Sequence, residues 1–380
     1  MSYLISVIIP TKNRFKYCLA AINSCLKLQN EKIQIIVQDN SDASNEEVIK
    51  ELLEKNSNIK YNYHSGVLSF IENFNEAVSL ADGKYLCMIG DDDAVLPNII
   101  TETENMQKND IDALIPGLNS VYIWPSEKPF VKGAENGYLC IDNIKKKQKY
   151  VNSRKAIKDL MATGGQNYQQ HDIPRLYHGI VKVEKLLEIK NVTKHYFGGL
   201  TPDIYNATCL CYVCDKVLRL NYPITVSGIC PTSGSADSAT GRHTGKLEDA
   251  PHFRGHASYE WDNKAPAIYS VESIWGETVL KALKDFNDIK SYDKFSVLYL
   301  DAICLRKYPQ FKNEIVEHAK KYKINLFSLK LKSNIIFLNQ FVKKAIKKVF
   351  KKKNSVLKLY NIEQIENAVE ITMSEIGKKL

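Results

Sequence analysis

No run of about 18 uninterrupted apolar residues occurs in this 380-residue chain, so a membrane-spanning helix is not expected. Met1-Ser2-Tyr3-Leu4-Ile5 leads straight into a strand-like stretch, without the basic-then-apolar pattern of a secretory leader. The nine cysteines are odd in number and scattered, which argues against a disulfide framework and for reduced thiols in the cytoplasm. Cys209, Cys211 and Cys214 crowd together, but no second pair at zinc-ligand spacing follows. Their apolar, helix-like surroundings (207–218) make them small core thiols instead. No internal repeat is visible, and 44% hydrophobic with 25% charged residues is the balance of an ordinary globular chain. Acidic residues are missing altogether between Glu317 and Glu363, an interval holding thirteen lysines. The net charge of +9 therefore belongs to the tail, and the remainder of the chain is mildly acidic.

Strand and helix signals alternate over the first 115 residues. Strands are predicted at 4–9, 33–37, 59–63 and 84–89, with helices at 14–28, 45–53 (Ser44 as cap) and 70–80. Such alternation predicts an α/β domain with a mostly parallel central sheet covered by helices on both faces. Ligands of these sheets bind beyond the carboxyl ends of the strands. Three polar clusters fall there: Thr11-Lys12-Asn13-Arg14, Gln38-Asp39-Asn40-Ser41-Asp42, and Asp91-Asp92-Asp93. Residues 116–260 are less regular, with long loop-like stretches at 125–137 and 227–256. From Pro266 the pattern turns helical, at 268–286, 294–307 and 312–322. The expected organisation is one α/β domain over 1–260, with 1–115 its regular half, 116–260 its irregular half and a mobile loop at 227–256, followed by a helical C-terminal region over 261–380.

Three adjacent carboxylates after a buried strand repel one another, and a divalent cation would relieve that repulsion. Hard oxygen ligands suit Mg²⁺ or Mn²⁺ held by one or two carboxylates plus substrate phosphates. The bland alternative is a solvated acidic turn, which the position between Tyr85–Ile89 and the Pro97 helix start disfavours.

Ser6-Val7-Ile8-Ile9-Pro10-Thr11-Lys12-Asn13-Arg14, Ile36-Val37-Gln38-Asp39-Asn40-Ser41, and Ala81-Asp82-Gly83-Lys84-Tyr85 leading to Gly90-Asp91-Asp92-Asp93 and Pro97 together resemble the family 2 glycosyltransferases of GT-A fold. The resemblance covers about the first 115 residues and implies an inverting transferase using a nucleoside diphosphate sugar and a divalent metal. It implies that Pro10, Thr11 and Arg14 line the nucleotide pocket and that Asp39 accepts a hydrogen bond from the base. Asp91, Asp92 and Asp93 would be the metal- and ribose-binding element, with Asp93 and Asp91 as metal ligands and Asp91 or Asp92 on the ribose. Gly90 stands where many members carry an aspartate. Gly198-Gly199-Leu200-Thr201-Pro202-Asp203 resembles the stretch holding the catalytic base, with Pro-Asp in place of the usual Glu-Asp. Asp203 could take the acceptor proton or merely cap the helix it starts. In the 227–256 loop Arg242 and His243 are the candidates to meet the diphosphate.

In the tail, Leu338, Phe341, Val342, Ala345, Ile346, Val349 and Phe350 recur at helical spacing. Lysines 343, 344, 347, 348, 351 and 352 lie opposite. Residues 335–353 thus read as a basic amphipathic helix suited to an anionic membrane surface. The alternatives are packing on the protein body or nucleic acid, and no other feature suggests nucleic-acid binding. The expected protein is cytoplasmic and peripheral at the inner face of the cytoplasmic membrane. It would move a sugar from a nucleotide donor, UDP-linked by preference, to a hydroxyl of a lipid-linked glycan in surface-polysaccharide synthesis. A sugar-phosphate nucleotidyltransferase is disfavoured by the glycine-free loop after the first strand. A non-catalytic membrane-peripheral binding protein of the same fold is disfavoured by the intact carboxylates.

Overall fold

The computed structural model describes residues 3–117, 119–129, 131–145, 147–234, 236, 244–247, 253, 259–349 and 356–379, with backbone alone for 343–349. The N-terminal half runs β1 (Ile5–Thr11), α1 (Phe15–Leu26), β2 (Ile33–Asp39), α2 (Glu46–Lys55), β3 (Ile59–Tyr63), α3 (Phe70–Ser79), β4 (Tyr85–Met88), β5 (Ala94–Val95) and α4 (Asn98–Lys108). Next come β6 (Ala113–Pro116), β7 (Ser120–Ile123), β8 (Tyr138–Ile141), β9 (Gln148–Val151), α5 (Ser153–Ala162), β10 (Ile180–Lys182), α6 (Val183–Thr193), α7 (Pro202–Val213), β11 (Val217–Leu220) and β12 (Thr225–Ile229). The remainder is β13 (Thr244–Lys246), β14 (Ile268–Ser270), α8 (Val271–Asp285), α9 (Ile289–Asp293), α10 (Val297–Lys307), α11 (Lys312–Lys321), α12 (Leu326–Val349), β15 (Leu357–Tyr360) and α13 (Ile365–Gly377).

The main sheet has the order β3-β2-β1-β4-β10-β6-β11-β9. Its first four strands are parallel, β10 is antiparallel to both neighbours, and β11 is parallel to β6. The α/β, mostly parallel architecture expected from the sequence is what forms, with the antiparallel insert at β10 added. Strand alternation splits the core between the two faces. Ile5, Val7, Ile9, Ile33, Ile35 and Val37 pack on the α1 side, while Ile8, Ile36, Leu86 and Met88 pack toward α3 and α7. Register sets Thr11 opposite Asp39, so the polar ends of β1 and β2 emerge together.

A second sheet, β15-β8-β7-β12-β5, stands over the strand ends. Its β12 carries residues 225–229 into the stretch expected to be loop, and β13 does the same for 244–246. The described residues of the C-terminal region are mainly helical, as expected, with strands at β14 and β15. Strand β15 pairs with β8, and α13 buries Ile365, Ala368 and Ile376 in the core beneath α1 and β5. Helical periodicity alone could not reveal that the end of the chain returns to the first domain. Among the described residues no helix is long and apolar enough to cross a membrane.

Cys209 and Cys214 are buried in one core cluster and Cys211 in another, as core thiols should be.

Candidate active site

The site begins where β1 ends. Asn13 takes a left-handed backbone (φ 57°), which asparagine tolerates better than most residues. Its amide N–H donates to Ser41 Oγ at 2.8 Å, tying this turn to the end of β2. The turn delivers Arg14 onto Asp91. Arg14 Nη2 lies 2.6 Å from Asp91 Oδ1 and Nε donates to Oδ2 at 3.1 Å, while Thr11 Oγ1 donates to Oδ2 at 2.7 Å. Two parallel contacts of this kind fix orientation as well as charge. A cavity of about 310 Å³ opens alongside, lined by Asn13, Phe15, Ser41, Asp42, Ala43 and Asn45. Pro10 is buried within β1.

Asp91, Asp92 and Asp93 are all buried, at the turn between β4 and β5. Burial, with Asp92 adjoining, lifts the Asp91 carboxyl to about 7 despite the opposing pull of Arg14 and Thr11. Burial also holds the Asp93 carboxyl well above the usual range, with Asp92 adding to the effect.

The three carboxylates do different things. Asp93 Oδ1 accepts from the Gly228 N–H at 2.7 Å; Oδ2 accepts from the Gly90 N–H at 2.5 Å and the Tyr177 hydroxyl at 3.2 Å. His178 Nε2 adds a contact at 3.4 Å to Oδ2, while its Nδ1 lies 2.9 Å from Thr225 Oγ1. Burial drives the His178 imidazole down to about 3, so the ring is neutral. Asp93, expected as a metal ligand, is therefore a carboxylate already fastened on both oxygens. Asp91, the other expected ligand, accepts hydrogen bonds from Thr11 and Arg14 at Oδ2, while its buried Oδ1 has the Arg14 ion pair and no hydrogen bond. Asp92 Oδ2 accepts from the Cys230 N–H at 2.9 Å. Its Oδ1 is the one carboxylate oxygen of the triplet with neither a hydrogen bond nor an ion pair among the described residues. No group of three His, Cys, Asp or Glu side chains converges as a ready-made metal cage among those residues.

Two glycines hold this arrangement. A Cβ on Gly90 would sit 2.6 Å from the Tyr177 hydroxyl, so Tyr177 fills the space that an aspartate at this position would need. A Cβ on Gly228 would fall 1.6 Å from the Asp92 carbonyl oxygen, which forces β12 to pass the triplet with no side chain. Trp124 Nε1 donates to that same carbonyl at 2.9 Å.

Asp39, expected on the base, spends its carboxylate on protein donors: Ser41 N–H on Oδ1, and Asn45 Nδ2 and Tyr61 hydroxyl on Oδ2, all at 2.8 Å. It is buried and organises the loop after β2. As built, it is not open to a nucleobase.

Asp203 lies in the first turn of α7, after the Gly198-Gly199 turn. The Tyr168 hydroxyl donates to its Oδ2 at 2.5 Å. Burial raises the Asp203 carboxyl, opposed by the Tyr168 hydroxyl and the Ile204 N–H. The same aspartate thus meets backbone donors at the helix start and remains half-buried. Arg175 is buried, donates from Nη2 to the Pro116 carbonyl at 2.9 Å, and is charge-coupled to Tyr168 and Asp203. Two residues on, Tyr177 touches Asp93, so segment 168–178 joins the base candidate to the aspartate turn. Tyr168, Arg175, Tyr177, His178, Gly228 and Cys230 carried no motif in sequence. Each reaches its partner from far along the chain. Arg242 and His243 lie outside the described residues, as do His252, Arg254 and His256.

Against known proteins, residues 6–165 match the profile of "Glycosyl transferase family 2". The glycosyltransferase GlyG of Streptococcus pneumoniae is 28% identical over 117 residues, 30% of this chain and 39% of that one. The uncharacterized glycosyltransferase MG025 of Mycoplasma genitalium is 34% identical over 135 residues, 34% of this chain and 44% of its own length. The matched stretch thus spans less than half of these relatives. Among solved structures, S. aureus TarS 1–349 in complex with UDP-GlcNAc superposes with a TM-score of 0.49 at 13% identity, covering 84% of this chain and 80% of that one. A mannosyltransferase of Pyrobaculum calidifontis in complex with GDP-Man and Mn²⁺ gives 0.40 at 10% identity, covering 88% and 87%. Superpositions this loose carry no residue-level argument.

Proposed function

We propose that this chain, whose residues 6–165 match glycosyl transferase family 2, is an inverting glycosyltransferase using a nucleoside diphosphate sugar. The observation that carries the reading is the strand-end constellation of Arg14, Thr11 and the buried aspartates, which leaves Asp92 Oδ1 alone without a hydrogen bond or an ion pair. The donor's nucleotide part takes the ends of β1 and β2, where Asn13, Ser41 and Asn45 line the adjacent cavity. Asp92 would hold a Mn²⁺ or Mg²⁺ ion through Oδ1, the diphosphate oxygens and water completing the shell. Site chemistry fits: one hard oxygen on a buried, negatively charged turn suits a cation that keeps most of its ligands from substrate. When bound, such an ion supplies charge neutralisation for the leaving nucleoside diphosphate. Arg14, fixed by Asp91, adds a second positive charge beside it.

Asp203 is the proposed general base. An acceptor hydroxyl loses its proton as it attacks the anomeric carbon, and the raised pKa brings this carboxylate nearer to the working pH. Tyr168 holds the carboxylate in one orientation. The acceptor is a glycan hydroxyl on a lipid-linked precursor of a surface polysaccharide, and UDP is the preferred nucleotide.

Donor binding and hydrolysis with and without Mn²⁺ test this assignment. Asp92→Asn should abolish the Mn²⁺ stimulation, whereas Asp93→Asn should lower thermal stability. A full Mn²⁺ response in Asp92→Asn removes the ligand assignment. Asp203→Asn should bind donor nearly normally and lose transfer; normal turnover removes it as the base. A wild-type protein that binds no sugar nucleotide from a broad panel overturns the whole reading.

A further inference from the structure

Helix α12 has 24 residues, about 36 Å at 1.5 Å per residue. It is attached to the body by one face, where Leu329 is 0% exposed and Ile336 6%, against α10. The opposite side is apolar and uncovered. Phe327 is 75% exposed, Leu338 59% and Phe341 61%, with Leu331 and Val342 also exposed. These five recur at spacings of three, four and seven residues and form one stripe. Isolated exposed apolar residues need no explanation, but a continuous stripe along a helix does. Of the apolar side expected at 335–353, Leu338, Phe341 and Val342 thus face away from the protein body. The stripe also begins two turns earlier than the sequence pattern indicated; the side chains from 343 on and residues 350–353 lie outside what is described.

The surrounding charge has one sign. Lys330 and Lys332 flank the stripe on its two sides, and Lys343, Lys344, Lys347 and Lys348 follow in the same helix. No acidic residue interrupts them between Glu317 and Glu363. Beside the helix a cleft of about 340 Å³ is lined by Leu305, Arg306, Pro309, Lys330, Ser333 and Asn334, adding a further cation. Beyond the helix the chain returns through β15 to the sheet, so α12 is a strap held by the body before and after.

We propose that the outer face of α12, from Phe327 through Val342, docks on the surface of an anionic lipid bilayer. Apolar side chains enter the headgroup boundary while lysine stems extend their ammonium groups to lipid phosphates. Charge decides the occupant. A second copy of this face would set lysines against lysines, whereas an anionic bilayer complements both the stripe and its rim. The inference goes beyond the transferase reading and does not depend on it.

Co-sedimentation of the full chain with phosphatidylcholine vesicles, and with vesicles also containing phosphatidylglycerol, tests this. Wild type should pellet with the anionic vesicles and be released by high salt. Lys330→Gln should weaken binding about fivefold, and Leu338→Ser combined with Phe341→Ser by about tenfold or more. The double variant should keep the wild-type Tm and donor hydrolysis, because both side chains are exposed and remote from the aspartates. Four results would overturn the proposal. One is equal pelleting with neutral and anionic vesicles. Another is wild-type pelleting by the double variant. The third is a concentration-dependent dimer in light scattering that the double variant abolishes while no vesicles bind. A melting temperature several degrees lower in that variant would also overturn it, since those side chains would then pack on the body.

Discussion

Replacing Tyr168 with phenylalanine removes one hydroxyl, and its effect separates a general base from a helix cap at Asp203. The Tyr168 O–H donates to Asp203 Oδ2 at 2.5 Å, and burial beside that carboxylate pushes the phenol well above its ordinary range, so it stays a neutral donor. A hydrogen bond to an ionised partner contributes roughly 1.5–3 kcal/mol, equivalent to about 1–2 pH units on the acceptor. The bond favours the carboxylate form, so losing it raises the Asp203 pKa beyond the elevation that burial already imposes. A base works only when ionised, and activity climbs with pH through its pKa. In Tyr168→Phe the acid limb of the kcat/KM profile should therefore move to higher pH by about one unit, with roughly tenfold loss below the limb. At pH values well above both limbs the two enzymes should converge. The assay is donor turnover from pH 5 to pH 9 at fixed Mn²⁺, with Tyr168→Phe checked for an intact fold. An unmoved limb with a uniform loss of rate would refute the reasoning, because a carboxylate serving only the α7 backbone has no titration that the rate can report.

Further outcomes follow from the aspartate turn. Gly228→Ala should lower stability by more than about 2 kcal/mol, because its Cβ would meet the Asp92 carbonyl at 1.6 Å; a thermal melt matching wild type would contradict that contact. Asp91 is lifted to about 7 in the fold, chiefly by burial, above its unfolded value of about 3.8. The protonated form therefore contributes stability that is fully present below the unfolded value and lost as pH rises through about 7. In EDTA, the Tm advantage of wild type over Asp91→Asn should shrink between pH 5 and pH 8; His178, common to both proteins, cancels. A gap that widens with pH would reverse the assigned sign.

Much of the scaffold was legible because it is local. Short apolar runs ended by Pro10, Asp39 and the aspartate triplet marked the strands, and the periodic stretches between them marked α1 to α3. What the sequence concealed is long-range. The antiparallel β10, inserted between β4 and β6, has no local signature, and neither has β15, whose partner β8 lies more than two hundred residues earlier. Helix α13 packs beneath α1 because Ile365, Ala368 and Ile376 need cover, a demand that periodicity announces without naming the surface that meets it.

The carboxylates show the limit most clearly. Asp39, Asp91, Asp92 and Asp93 are chemically the same group, and a motif can say only that such groups gather at the strand ends. Which oxygen stays open depends on donors arriving from elsewhere: Tyr61 and Asn45 close Asp39, Arg14 and Thr11 close Asp91, and Gly228, Gly90 and Tyr177 close Asp93. A buried carboxylate with every oxygen engaged is already compensated for leaving water, and recruiting it for a cation would strand its donors. Asp92, one oxygen engaged and one not, carries no such cost. The assignment of the ligand is therefore a statement about the donors, and substitution at Gly228 or Tyr177, neither of them acidic, should disturb the site as surely as substitution within the triplet.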